Sequence, residues 1–129
     1  MKTIAILDDD PTLVELYTNI LQDEGYNVVT LSLSSTIKEL IEKLRQSRAK
    51  VLILDIKIPG IDALQIIKEL EVGPLEQQLK VLICSGAYQD IANLIQKLEE
   101  AKLNVPLVLR KPFDLDVFVE HLERLTQND

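Results

Sequence analysis

Short runs of aliphatic residues alternate along the chain with longer segments in which apolar residues recur at helical spacing. A strand covered on both faces is apolar throughout, whereas an amphipathic helix shows an apolar residue every three or four positions. The alternation therefore predicts five strand–helix units. We expect the strands at residues 3–7, 27–31, 50–54, 80–84 and 106–109.

The segments between these strands carry the helix pattern. Asp10 and Pro11 predict the start of the first helix, because Asp is a favoured N-cap and Pro suits the first helical position. Gly25 is expected to end that helix. Its buried face should contain Leu13, Leu16, Tyr17 and Ile20. Four apolar stripes at i, i+3, i+4 and i+7, whose first residues are Ile37, Ala63, Ile91 and Leu115, predict the other four helices.

Strands that alternate with helices pair in parallel through right-handed crossovers. The predicted fold is therefore an α/β three-layer sandwich of five βα units, with helices on both faces of one parallel sheet. A flavodoxin-like strand order, 2-1-3-4-5, places the first and third strands side by side. The 129 residues fit one domain. A turn is predicted at residues 72–74, where Gly and Pro follow Val.

Charge and cysteine content narrow the function. The 21 acidic and 14 basic residues give a net charge of −7, which disfavours direct binding to nucleic acid. Cys84, the only cysteine, lies in an apolar run and is predicted to be a buried thiol, so no disulfide forms within the chain. No apolar run approaches the ~20 residues that cross a bilayer. We therefore expect a cytoplasmic protein that does not enter a membrane.

Polar residues follow four of the five predicted strands. The first strand is followed by Asp8 and Asp9, the third by Asp55, the fourth by Ser85 and the fifth by Lys111. In a parallel α/β sheet, ligands bind beyond the carboxyl ends of the strands, near the point where the strand order reverses. These side chains should therefore meet at one edge of the sheet.

Carboxylates on adjacent strand ends repel one another unless a cation lies between them. Mg²⁺, with oxygen ligands, would relieve that repulsion. One carboxylate could then attack a phosphoryl group whose oxygens are bound by Lys111 and the Ser85 hydroxyl. Each residue taken alone has a structural explanation, and Asp10 is expected to be a helix cap only. Their joint arrangement predicts an aspartyl-phosphate site.

The sequence resembles the receiver domain of bacterial two-component response regulators over essentially the whole chain. The resemblance rests on the two aspartates after the first strand, on Asp55 followed by Pro59 and Gly60, and on Ser85 and the Lys111–Pro112 pair in matching order and strand context. The segments that carry it are residues 4–11, 51–62, 82–87 and 110–113.

The resemblance implies that Asp55 is the phosphoryl acceptor and that a sensor histidine kinase or a histidine phosphotransfer protein is the donor. It also implies Mg²⁺ bound by Asp8, Asp9, Asp55 and the backbone carbonyl of Lys57. Ser85 and Lys111 would contact the phosphoryl oxygens, and the Lys111–Pro112 bond is expected to be cis. The domain would be a two-state switch that assists only its own phosphorylation and dephosphorylation, and so not a conventional enzyme.

Two features of the sequence depart from the family pattern, one residue and the length of one segment. Val108 stands three residues before the lysine, where the family usually has an aromatic residue that moves on activation. The stretch between Ser85 and Lys111 is also longer than usual, with the extra residues expected at 101–105.

Lys57 and Ala87 each lie two residues beyond a site residue, beside the expected path of a hydrolytic water in this family. They should influence dephosphorylation, although Lys57 could equally be a solvated turn lysine.

The sequence predicts a single receiver domain over residues 1–129 with no output domain. Such a domain acts by binding a partner, for which the resemblance favours the face formed by the fourth helix, fifth strand and fifth helix. A piece cut from a longer regulator would have the same sequence pattern.

Two alternative functions remain open. Asp8, Asp10 and Thr12 also match the nucleophile motif of haloacid-dehalogenase-type phosphatases, in which Asp8 would be the nucleophile. That interpretation leaves residues 55–60 unexplained. A docking module that keeps the fold and signals without phosphorylation is the other. The valine at position 108 is compatible with it, whereas the retained acid pair, Asp55, Ser85 and Lys111 argue against an inactive site.

Overall fold

Five strands and five helices alternate in the computed structural model, which describes residues 1–72 and 79–127 and gives only the backbone of Val72. The five predicted strand–helix units are confirmed: half of the predicted strand ends coincide with the observed ones, and the other half differ by a single residue. The elements are β1 (Thr3–Leu7), α1 (Pro11–Asp23), β2 (Asn27–Thr30), α2 (Ile37–Ser47), β3 (Val51–Leu54), α3 (Ala63–Val72), β4 (Lys80–Ser85), α4 (Tyr88–Glu100), β5 (Leu107–Arg110) and α5 (Leu115–Thr126).

All strand pairs are parallel, and the strand order is β2-β1-β3-β4-β5, which confirms the predicted topology. The register pairs Leu7 with Leu54, so β1 and β3 end at the same level. At the other side of the sheet, Ser85 of β4 pairs with Arg110 of β5. The residues that follow these four strands therefore emerge along one edge of the sheet.

The sheet separates two apolar clusters, because successive side chains of a strand point to opposite faces. In β1, Ile4 and Ile6 face the cluster formed with α1 and α5, whereas Ala5 and Leu7 face the cluster formed with α2, α3 and α4. Every residue of β3 is fully buried. The two strands that carry the candidate acids, β1 and β3, are therefore packed on both sides.

Both predicted ends of α1 are confirmed. The Asp10 carboxylate accepts hydrogen bonds from the backbone N–H groups of Thr12 (3.0 Å) and Leu13 (3.3 Å), as an N-cap does. Gly25 has a φ of +90° and its N–H donates to the carbonyl of Gln22. Glycine adopts this left-handed conformation without strain, which suits it to the end of a helix.

Two residues expected on buried helix faces are exposed. Leu16 is 38% exposed, and Leu21 is buried with Tyr17 in its place. Tyr17 and Leu21 are four residues apart and therefore point in nearly the same direction. The face of α1 that contacts the core is thus narrower than the pattern of its apolar residues predicts. Leu115 is 40% exposed because it is the first residue of α5, before the helix reaches the sheet.

The turn predicted at residues 72–74 is not tested beyond its first residue. Val72 ends α3, and the other two residues lie outside the described part of the chain. None of the helices described combines the length and the apolar character that a bilayer crossing requires.

Candidate functional site

Three carboxylates meet where β1 and β3 end. The N–H of Asp55 donates to the carbonyl of Leu7 (3.0 Å), which continues the ladder between the two strands by one residue. One carboxylate oxygen from each of Asp8, Asp9 and Asp55 lies within 4.8 Å of the others. Asp8 and Asp55 are buried and Asp9 is exposed. The structure thus brings together the three acids that the sequence placed at one edge of the sheet.

Backbone hydrogen bonds orient the two buried carboxylates. Asp8 Oδ1 accepts from the N–H of Asp10 (2.9 Å), and Asp55 Oδ1 accepts from the N–H of Lys57 (3.1 Å). Each bond closes a short turn two residues beyond the acid, which is a common conformation for aspartate. One oxygen of each carboxylate is therefore held by the main chain, and the other faces Lys111.

Lys111 supplies a positive charge to this cluster. Its Nζ lies 2.9 Å from Asp8 Oδ2 and 3.4 Å from Asp55 Oδ2. Burial acts to lower the pKa of Lys111, but the hydrogen bond and charge of Asp8, and then those of Asp55, outweigh it and leave the pKa above its ordinary value. Lys111 is therefore charged at neutral pH and neutralises one of the three acidic charges.

The remaining negative charge fits a divalent cation. The donor atoms are all carboxylate oxygens, which are the ligands that Mg²⁺ prefers in proteins, and they are close enough to share one ion. Without a cation, carboxylates at this separation repel one another. The residues present therefore suit a magnesium site.

Ser85 lies at the end of β4 and is almost fully buried. Its Oγ accepts a hydrogen bond from the N–H of Ala87 (3.2 Å), and its carbonyl accepts from the N–H of Lys111 (2.9 Å). Ser85 and Lys111 are thus joined through the backbone, as their adjacent strands require. Ala87 is half-buried at the N-cap position of α4. The Lys111–Pro112 peptide bond is cis, as expected.

Lys57 and Val108 occupy very different environments. The Lys57 side chain is 72% exposed, and its Nζ lies 3.2 Å from Asp90 Oδ2 in the first turn of α4. Sequence reasoning missed this ion pair, because its partners are distant along the chain. Val108 is half-buried in β5, pairs with Ile83 and packs against the apolar cluster that contains α2, α3 and α4.

Two tyrosines near the site were not predicted to have polar roles. The ring of Tyr17 stacks on Phe113 and Phe118, with centroid distances of 6.3 and 4.8 Å. Its hydroxyl is buried and has no hydrogen-bond partner within residues 1–72 and 79–127. The Tyr88 hydroxyl donates to the backbone carbonyl of Lys111 (3.1 Å). An aromatic residue in the otherwise polar first turn of α4 was the available signal for Tyr88.

Cys84 is fully buried next to the site, which confirms the prediction of a buried thiol. Burial raises the pKa of Cys84 to about 12, with Lys111 acting in the opposite direction. The neutral thiol is therefore the stable form at physiological pH, and the thiolate that reacts with electrophiles and oxidants is suppressed.

Comparison with known proteins identifies the family. A family model described as the response regulator receiver domain matches residues 4–123. The chain is 30% identical over 128 residues to the transcriptional regulatory protein CrdR of Helicobacter pylori, covering 99% of this chain and 56% of CrdR. It is 29% identical over 115 residues to sporulation initiation phosphotransferase F of Bacillus subtilis, covering 89% of this chain and 86% of that protein. The chain thus spans little more than half of CrdR and most of the phosphotransferase.

Solved structures agree with this assignment. The chemotaxis protein CheY4 of Vibrio cholerae superposes with a TM-score of 0.76 at 22% identity, covering 97% of this chain and 98% of CheY4, and so supports the fold. The response regulator TrrA of Thermotoga maritima, solved in complex with Mg²⁺-BeF, has a TM-score of 0.72 at 26% identity, covering 97% of this chain and 99% of TrrA.

The comparisons do not favour the phosphatase or the phosphorylation-independent alternative. Asp10 caps α1, so an aspartate at this position is explained without the phosphatase motif. Mg²⁺ binding at an acidic pocket and phosphorylation are characteristic of receiver domains, which are signalling switches rather than conventional enzymes. The chain belongs to the response regulator receiver domain family of two-component signalling.

Proposed function

We propose that this chain is a phosphoacceptor switch in which Asp55 receives a phosphoryl group from a phosphohistidine donor. The observation that carries the proposal is the approach of Lys111 Nζ to Asp55 Oδ2 within a cluster of three carboxylates. The relation to TrrA, which was solved with Mg²⁺-BeF, supports the same site chemistry.

Burial and contacts favour Asp55 over the other two acids. The side chain of Asp8 is fully buried, which leaves no path for a donor, whereas that of Asp55 is 11% exposed. Asp9 is exposed but does not contact Lys111. Asp55 therefore combines access with a neighbouring cation that stabilises the charge of a transferring group.

We assign Asp55 Oδ2 as the nucleophile, because Oδ1 is already held by the N–H of Lys57. Oδ2 attacks the phosphorus of the donor, a P–O bond forms and the P–N bond to the donor imidazole breaks. The bonding pair stays on the imidazole nitrogen, and because the other ring nitrogen of the donor carries a proton, the leaving group is neutral imidazole. Lys111 then pairs with a phosphoryl oxygen, and the Ser85 hydroxyl donates to another.

Asp8, Asp9, Asp55 and the backbone carbonyl of Lys57 would hold Mg²⁺. When bound, the ion offsets the negative charge of the carboxylates and of the phosphoryl group. Lys57 and Ala87 flank the acceptor and Ser85, and we assign them an influence on hydrolysis of the phosphorylated state.

We propose a sensor histidine kinase or a histidine phosphotransfer protein as the donor. Output then occurs through a partner that binds the face formed by α4, β5 and α5. Val108 places no aromatic ring on that face, so the readout of phosphorylation depends on other residues. Sporulation initiation phosphotransferase F, much of which this chain covers, supports a role in phosphoryl relay.

The test is transfer from acetyl phosphate in the presence of Mg²⁺, measured by intact-protein mass spectrometry. We expect the wild type to gain one phosphoryl group and Asp55→Asn to gain none. Asp62→Asn is the matched control, because Asp62 is an exposed acid in the same loop whose Oδ1 caps the N–H of Gln65, and asparagine keeps that cap.

Phosphorylation of Asp55→Asn at the rate of the wild type would contradict the assignment of the acceptor. A wild type that neither accepts phosphate nor changes its amide NMR spectrum with Mg²⁺ and beryllofluoride would support the docking module instead.

A further inference from the structure

Tyr88 connects the first turn of α4 to the lysine of the candidate site. The residue is 55% exposed, yet its hydroxyl donates to the backbone carbonyl of Lys111 at 3.1 Å. The guanidinium of Arg110 lies 5.9 Å from the centre of the Tyr88 ring. An aromatic ring and an arginine therefore sit together where α4 meets the end of β5.

Lys111 is held from three directions. Its N–H donates to the carbonyl of Ser85, its Nζ contacts Asp8 and Asp55, and its carbonyl accepts from Tyr88. Among the described residues, Tyr88 makes the only side-chain hydrogen bond between α4 and the segment around Lys111. A displacement of the Lys111 main chain would reach α4 through this bond.

We propose that Tyr88 is a positioning residue whose bond to the Lys111 carbonyl holds α4 in its resting place and weakens when Asp55 is phosphorylated. This inference rests on the proposed function. In the unmodified chain, Lys111 Nζ points at the two carboxylates. A phosphoryl group adds negative charge and three strong acceptor oxygens beyond Asp55, so the ammonium group is drawn outward.

Among the hydrogen bonds of Lys111, the one from the Tyr88 hydroxyl is the most easily broken. It joins two neutral groups at an exposed position, whereas the bonds of Lys111 Nζ are charge-assisted and mostly buried. Loss of one neutral hydrogen bond changes the ratio of two conformations by about fivefold. Removal of the hydroxyl should therefore shift the unmodified protein toward its phosphorylated conformation.

The experiment compares Tyr88→Phe with the wild type by amide NMR during titration with beryllofluoride at saturating Mg²⁺. Amides of Asp8, Asp9, Asp55 and Lys57 report on the site, and those of α4 report on the coupling. Tyr26→Phe is the matched control, because it removes a tyrosine hydroxyl that contacts Thr126 Oγ1 at 3.3 Å, away from Lys111.

Before any ligand is added, we expect the α4 amides of Tyr88→Phe to move toward their positions in the saturated wild type. The beryllofluoride concentration for half-saturation should fall by up to about fivefold, because coupling between two sites is reciprocal. Tyr26→Phe should show neither effect.

Two results would overturn the proposal. One is an unliganded Tyr88→Phe protein whose α4 amides superpose on those of the wild type and whose beryllofluoride concentration for half-saturation is unchanged. The other is weaker binding of beryllofluoride by Tyr88→Phe. If the site amides of the wild type do not respond at all, the proposed function itself fails and the coupling fails with it.

Discussion

Tyr17 is the clearest case in which one atom conflicts with its surroundings. Its ring fills the core between α1 and α5, but its hydroxyl is buried without a hydrogen-bond partner in the described part of the chain. Burial, and then the proximity of Cys84 and Asp8, raise the pKa of Tyr17 above its ordinary value. A buried polar group without a partner is destabilising.

Tyr17→Phe should therefore stabilise the fold. We expect the free energy of unfolding in urea to rise by about 1 kcal/mol, because the ring remains and an unsatisfied hydroxyl is removed. Tyr26→Phe, which removes a hydroxyl that has a partner, should be neutral or destabilising. A less stable Tyr17→Phe variant would mean that the hydroxyl is bonded in solution.

The acidic cluster predicts that stability depends on magnesium. A ligand that binds only the folded state adds about 2.7 kcal/mol at one hundred times its dissociation constant. We expect Mg²⁺ to raise the melting temperature of the wild type, and chelation to reverse the rise. Asp9→Asn should lose most of the effect, since Asp9 is one of the three clustered acids.

The control for that experiment is Asp10→Asn. Asp10 is the next residue along the chain, lies outside the cluster and caps α1, a role that asparagine also performs. An Asp9→Asn protein that responds to Mg²⁺ like the wild type would place the ion elsewhere.

At the scale of elements, the end of α1 nearest the site depends on one side chain. Asp10 receives two backbone N–H groups that would otherwise lack partners at the helix start. Asp10→Ala should lower the free energy of unfolding by about 1 kcal/mol, whereas Asp10→Asn should leave it nearly unchanged. Equal losses in both variants would show that charge rather than capping matters at this position.

The connection between α4 and β5 shows how an element can end without glycine. Lys102 has a φ of +59°, and its N–H donates to the carbonyl of Glu99, which closes α4 as Gly25 closes α1. The next N–H, of Leu103, donates to Leu98, and Leu103 packs against the core. The extra residues expected at 101–105 thus lie partly in a defined helix end.

At the scale of the whole molecule, Cys84 reports on global unfolding. It lies in a central strand, is fully buried and has a raised pKa, so neither access nor thiolate formation is favoured in the folded protein. At pH 8, we expect a thiol reagent to react at least about 10³ times more slowly with the folded protein than with the chain in denaturant, because labelling requires unfolding. Rapid labelling under native conditions would show that β4 opens locally.

Much of the fold was evident from local patterns. Apolar runs marked the strands because β1, β3 and β4 are covered on both faces. The positions of Asp8, Asp55, Ser85 and Lys111 after strands placed them at one edge, since parallel strands end on the same side. Burial within helices was less well predicted, as Leu16 and Leu115 show, because an apolar stripe does not reveal how far the sheet extends beneath it.

The sequence by itself determined the order of strands and helices, the cap at Asp10, the turn at Gly25 and the candidate polar residues that follow four of the strands, because these depend on spacing and local backbone preference. Only the tertiary structure decided that Lys57 pairs with Asp90, that Tyr88 reaches the Lys111 carbonyl and that the Tyr17 hydroxyl has no partner among the described residues. Such contacts depend on how each helix is placed against the strand ends, and that placement results from packing of the whole core rather than from any one segment.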